Sequence, residues 1–179
     1  MKSSLAAGLR LLATAAVLAT AGNAFADTFS FAVDAHANSL AWSSQDAAPL
    51  DTGLVFTAGQ ALDITASGTW NGGGGCPSVG PEGAACYGTD PVTGINYFSL
   101  IGRVGSGAWF KVGTGFSGAA ASSGDLFLAF DDSDSFNNSG KVTALVTTAS
   151  AVPEPASIAL LVGGLGLVGG AARRRQARG

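Results

Sequence analysis

Residues 126–140 read L-F-L-A-F-D-D-S-D-S-F-N-N-S-G and concentrate oxygen ligands in one short stretch. An apolar run with strand chemistry, Leu126, Phe127, Leu128 and Phe130, stops at Asp131. Three carboxylates follow at once, Asp131, Asp132 and Asp134, and then two side-chain amides, Asn137 and Asn138. Ser139 and Gly140 close the stretch, and a second strand-like segment occupies 141–147. Hard oxygens gathered between two strands suit calcium, which takes about 6–8 of them at ~2.3–2.6 Å. Magnesium asks for fewer protein ligands and a stricter octahedron, so it fits less well. The same residues also make an ordinary polar turn, because Asp, Asn, Ser and Gly satisfy their own backbone locally. Neither EF-hand nor nonapeptide-repeat spacing is present, so composition alone leaves both readings open.

Little else in the chain could do chemistry. His36 is the only histidine, has no local metal or triad partner, and reads as a surface residue. There is no Gly-x-Ser-x-Gly, no histidine-containing triad and no glutamate pair, which argues for a non-catalytic protein.

The elements that must position the acidic stretch read as strands. Residues 28–33 alternate Phe29, Phe31 and Val33 with Thr28, Ser30 and Ala32, the period of a half-buried strand. Trp42 and residues 54–56 look like strand or core pieces, and 60–67 alternates again through Leu62, Ile64 and Ala66. A Gly-rich excursion from 68 to 94 is too long for a hairpin turn and reads as a functional loop. Strand patterns return at 97–104 and 109–112, followed by a small-residue linker at 113–124. Short strands, Gly-rich connections and no amphipathic helix predict an all-β fold, an antiparallel sandwich.

Both ends read as processing segments. Residues 1–26 have a positive start (Lys2, Arg10), an apolar run at 11–21 and an Ala24-Phe25-Ala26 cleavage site, the layout of a secretory signal peptide. At the other end Pro153, Glu154 and Pro155 break regular structure before a Gly-rich apolar run at 156–172, which ends on Arg173, Arg174 and Arg175. Those arginines would hold that end in the cytoplasm. Between the ends, residues 27–151 form one expected domain. It has eleven carboxylates against Arg103, Lys111 and Lys141, a net charge of −8. So acidic a surface has no electrostatic footprint for nucleic acid. In an exported compartment the only two cysteines, Cys76 and Cys86, read as a disulfide worth ~2–3 kcal/mol. Zinc would need further soft ligands nearby, and there are none.

The Pro-Glu-Pro, apolar, arginine-cluster order of residues 152–179 resembles the PEP-CTERM sorting signal of Gram-negative, often exopolysaccharide-producing bacteria. That resemblance implies an exosortase-type sorting enzyme as partner and an inner-membrane precursor held by an apolar C-terminal helix. Cleavage near the motif would then release the chain to the cell surface or matrix. A plain membrane anchor is the alternative.

Within the domain, several pieces in order resemble the calcium-dependent galactophilic lectin family of bacteria, a small jelly-roll β-sandwich. They are G-Q-A-L-D-I-T-A-S-G at 59–68, G-P-E-G at 80–83, S-L-I-G-R-V-G at 99–105, F-K-V-G at 110–113 and L-F-L-A-F-D-D at 126–132, closed by N-N-S-G at 137–140. The resemblance implies calcium held by the side chains of Asp132, Asn137 and Asn138. A carbonyl from Asp134 or Ser135 and another from near Gly72 would add to them, and hydroxyls of a sugar would complete the shell. Trp70, beside that site, is the candidate platform for a sugar's apolar face. The loop is shorter than in the galactose-binding member, Asp131 stands where asparagine is usual, and residues 76–91 lack the family's histidine and glutamine. Sugar identity therefore stays open, as does a purely structural calcium site in a matrix protein.

Mass spectrometry of the exported protein is expected to find Asp27 at its start and the arginine cluster gone. An intact 173–179 segment on the exterior form contradicts the sorting signal.

Overall fold

The structure, a computed structural model, describes residues 26–149. The expected leader, Ala26 apart, and the whole sorting tail with Pro153–Pro155 and Arg173–Arg175 lie outside the described residues. Eight strands follow in order: β1 (Ala26–Asp34), β2 (Leu50–Phe56), β3 (Ala61–Asn71), β4 (Leu100–Val104), β5 (Phe110–Lys111), β6 (Gly115–Ala119), β7 (Gly124–Phe130) and β8 (Ser139–Ala149). One 3-10 turn, Ala85–Tyr87, interrupts them. The expected all-β, antiparallel sandwich is the observed fold. One sheet runs β1-β8-β3-β6 and the other β2-β7-β4-β5, with every strand pair antiparallel.

Period-2 alternation decides which side chains lie between the sheets. On β8, Val142, Ala144 and Val146 are buried while Thr143 and Leu145 face out. On β7, Leu126, Leu128 and Phe130 point inward to meet them, joined by Leu62 and Ile64 of β3 and Leu100 and Val104 of β4. Aromatic rings fill the end of this core nearest the acidic stretch. Trp70 packs edge-on against Phe130 at 4.6 Å between centroids, and Phe98 stacks on the same ring at 5.4 Å.

Four expectations change. The linker expected at 113–124 contains β6, which pairs with β3 from Ala61↔Ala119 to Thr65↔Gly115. Phe116 is the one large apolar residue of β6, and it packs on Phe110 at 4.6 Å, so hydrophobic periodicity could not reveal the strand. The strand at 97–104 begins only at Leu100, because Phe98 takes a left-handed φ of 68° and breaks the ladder. The excursion expected from Gly68 starts later, since β3 continues to Asn71 along β8. Trp42 is neither strand nor core: it lies in a turn with 38% of its surface exposed. Cys76 and Cys86 are joined in a disulfide that spans the loop after β3.

Phe130→Ala should cost ~3–5 kcal/mol, since it empties the centre of the aromatic stack. Phe29→Ala, 40% exposed on β1, should cost under about 1 kcal/mol. Chemical denaturation measures both, and equal losses contradict this packing.

Candidate metal and ligand site

The acidic stretch turns the corner between β7 and β8, and its backbone is tied down residue by residue. The carbonyl of Asp131 accepts from the Phe98 N–H at 2.8 Å, and that of Asp132 from the Ala41 N–H at 2.9 Å. The Ser133 carbonyl accepts from the N–H of Ser43 at 2.9 Å and from its hydroxyl at 2.6 Å. The Asp134 carbonyl accepts from the Ser39 hydroxyl at 3.0 Å and the Asn138 side-chain amide at 2.9 Å. At Ser135 the acceptor is shared by His36 Nδ1 at 2.7 Å and the Asn138 N–H at 3.0 Å. Five successive carbonyls therefore face protein donors, most of them from residues 36–43.

This arrangement corrects one part of the expected ligand set. A carbonyl oxygen has two lone pairs, and the Asp134 and Ser135 carbonyls each already meet two donors. Neither is open to an ion. His36 is exposed, as expected of a surface residue, yet it is not partnerless: it closes the loop from outside.

The side chains behave in the opposite way. Asp131 is fully buried and Asp132 and Asn138 nearly so. Asp131 Oδ2 accepts from the Thr93 hydroxyl at 2.8 Å, while its Oδ1 has no donor. Asp134 Oδ1, Ser135 Oγ and Asn138 Oδ1 are likewise buried without a partner. Native proteins leave few such atoms, because each forfeits its hydration for nothing in return. Asn137 is exposed and lies over Gly73, where a Cβ would come within 2.7 Å of its Cγ. The β3–β8 register, ending at Asn71↔Ser139, brings buried Gly72 to the Asn137–Asn138 end of the loop. Asn138 thus lies beside Asp132, and Asn137 beside the Gly72–Gly73 turn. Among the described residues no three His, Cys, Asp or Glu side chains form a metal-holding group.

Trp70 does not meet them as expected. It is 1% exposed, and its indole N–H donates to the Phe98 carbonyl at 2.9 Å inside the core. No face of the ring is open to a sugar. β3 alternation with Leu62 and Ile64 extends inward to Trp70, and that periodicity was the available signal.

Burial raises the carboxyls. Asp131 is pushed to about 7 by desolvation, against the Thr93 hydroxyl and with help from the charges of Asp90 and Asp132. Asp132 is pushed to about 6, again by desolvation, opposed by the Ser133 N–H and raised further by Asp134. Asn138 lies beside Asp132 and favours its charged form. Burial also raises Asp134, with Asp46 adding to it.

With the geometry in hand, likenesses to known proteins fall at two places. Residues 151–176 match the PEP-CTERM protein-sorting motif, so the chain is an exported protein that carries a sorting signal. The fold resembles the N-terminal domain of EclA, described as a PllA-like lectin, with a TM-score of 0.51 and 24% identity. That match covers 66% of this chain and 94% of the EclA domain, and it establishes a shared fold. No curated protein sequence matches the chain. Among the described residues no helix is long and apolar enough to cross a membrane. The expected apolar segment at 156–172 lies outside those residues.

A carboxyl raised in the folded state binds its proton more tightly there, so the contribution is full below the unfolded value near 3.8 and is lost as pH rises through the folded value. The melting temperature in chelator should therefore fall between about pH 4 and pH 7. Asp131→Asn should remove much of that slope. A flat profile in the unsubstituted protein contradicts the burial of these groups.

Proposed function

We propose that the exported domain is a non-catalytic carbohydrate-binding module whose β7–β8 loop holds calcium at the sugar site. One observation carries the proposal: a loop that satisfies its main-chain carbonyls but buries carboxylate and amide oxygens without donors, in the fold of a PllA-like lectin. Oxygens of that kind fit a hard cation, which replaces their lost hydration without demanding strict geometry. Asp132, Asn137 and Asn138 would hold the ion, with the Asp134 carboxylate as a further ligand in place of its engaged carbonyl. When bound, calcium supplies a Lewis-acidic centre for a pair of sugar hydroxyls. The protein's own share is to keep the amides and carboxylates fixed through residues 36–43 and the aromatic stack. Neutral amides limit the negative charge that a neutral sugar must face. After sorting by an exosortase-type enzyme, such a module would tether glycan or exopolysaccharide at the cell surface or in the matrix.

A second reading has its own support. Asp132 and Asn138 are nearly buried and Trp70 is closed inside the core, so an ion held by these side chains has little open surface on which to meet a sugar. Calcium would then only stabilise the fold of a matrix protein.

Calcium at ~100 times its Kd should stabilise the exported protein by ~2.7 kcal/mol, and EDTA should reverse the gain. Asp132→Ala should abolish the response, and Asn138→Ala should weaken it less. Glycan-array binding should depend on calcium and disappear with Asp132→Ala. A melt indifferent to calcium ends the metal-dependent reading; a calcium-dependent melt with no glycan bound leaves the structural one.

A further inference from the structure

Trp42 sits against the acidic loop with 38% of its surface open, and three constraints hold it there. Its neighbours on either side are tied to the loop backbone: the Ala41 N–H donates to the Asp132 carbonyl and the Ser43 N–H to the Ser133 carbonyl, both at 2.9 Å. Its indole N–H donates to Asp90 Oδ2 at 2.7 Å. Asp90 is itself fully buried, and its other oxygen is fixed by the N–H groups of Val92 at 2.6 Å and Thr93 at 3.2 Å. The turn carrying the tryptophan is also strained, because Ala41 and Gln45 both take left-handed φ angles, 44° and 55°, without being glycine. Such conformations cost free energy and persist only where the surroundings enforce them.

An exposed indole on a surface turn is ordinarily free to move. This one has its ring orientation set by a charge-assisted hydrogen bond and its backbone set by the loop. A rigid aromatic face carried on the backbone of the acidic loop matches the two-sided chemistry of a pyranose, which has an apolar C–H face and a polar rim. Anionic lipid is a poor occupant for a ring set among carboxylates in a domain of net charge −8.

We propose that Trp42, anchored on Asp90 and bracketed onto Asp132 and Ser133, is the aromatic subsite that stacks on the C–H face of a neutral hexopyranose. This assignment rests on the carbohydrate-binding reading above and gives that site the platform that buried Trp70 cannot supply. Fixing the ring before binding removes an ordering cost that a mobile aromatic would meet on association.

The exported protein is first screened in calcium against immobilised neutral glycans. The soluble monosaccharide from the best-bound glycan is then titrated into the unsubstituted protein, Trp42→Ala, Trp42→Phe and Trp109→Ala. Trp42→Ala should weaken binding by about tenfold or more, on the scale of a lost aromatic contact, and Trp42→Phe by much less. Trp109→Ala should bind normally. Should Trp42→Ala fold poorly, oxidation of the unsubstituted protein with N-bromosuccinimide gives an independent reading by peptide mapping. Saturating sugar should protect Trp42 and leave the oxidation of Trp109 unchanged. Glycan binding that survives Trp42→Ala, or equal oxidation of Trp42 with and without sugar, overturns the Trp42 assignment and leaves the lectin reading intact. Absence of any glycan binding by the unsubstituted protein overturns both.

Discussion

A carboxylate removed from water must find donors, a cation or a proton, and just past β7 the chain buries two carboxylates, one of them with an oxygen that no donor meets. The β-sandwich around them is arranged to keep that corner closed. The strand delivers Phe130 to the core and, one residue later, Asp131 to a place where burial raises its pKa to about 7. Trp70 and Phe98 pack on Phe130 from the neighbouring sheet and loop, so the corner cannot relax outward without opening the aromatic stack. Stability and site are coupled through one residue boundary.

The segment between β1 and β2 has the complementary task. Residues 36–43 add almost nothing to either sheet, yet they donate to four of the five carbonyls that the acidic loop presents. Each main-chain carbonyl of residues 131–135 thereby meets a donor within the protein, while side-chain oxygens of Asp131, Asp134, Ser135 and Asn138 stay buried without a partner. The division is chemically selective. Carbonyls met by N–H and O–H groups set the shape, while buried carboxylate and amide oxygens are left without donors.

How much of this was legible follows from the kind of signal each part leaves. β1 and β3 alternate apolar and polar residues, a period of two that is readable without any tertiary knowledge, and β7 is readable as a continuous apolar run. β6 pairs just as regularly with β3, but Gly115, Ser117, Gly118 and Ala119 carry no hydrophobic pattern, so its identity depends on a partner distant in sequence. The acidic stretch was legible as an oxygen-rich corner between two strands because its residue types are local. Its engaged carbonyls were not, since their donors lie about 90 residues away and nothing in Ser39 or Ser43 marks them. The tryptophans exchanged places for a similar reason. Trp70 continues the inward face of β3, whereas Trp42 lies outside any strand, and its exposure is set by a buried aspartate 48 positions on.

The first and last described residues, Ala26 and Ala149, are direct partners in the β1–β8 ladder. Both strands run from there toward the other end of the sheet, where Asp34 pairs with Lys141 beside the acidic loop. At ~3.3 Å per residue the eleven residues of β8 span roughly 35 Å. The domain thus has a foot, where the chain enters and leaves, and a head, where the oxygen-rich corner lies. A tether fastened at the foot, or a cut made there, acts a full strand length from the head. Entry and exit of the described chain are therefore both remote from the oxygen-rich corner.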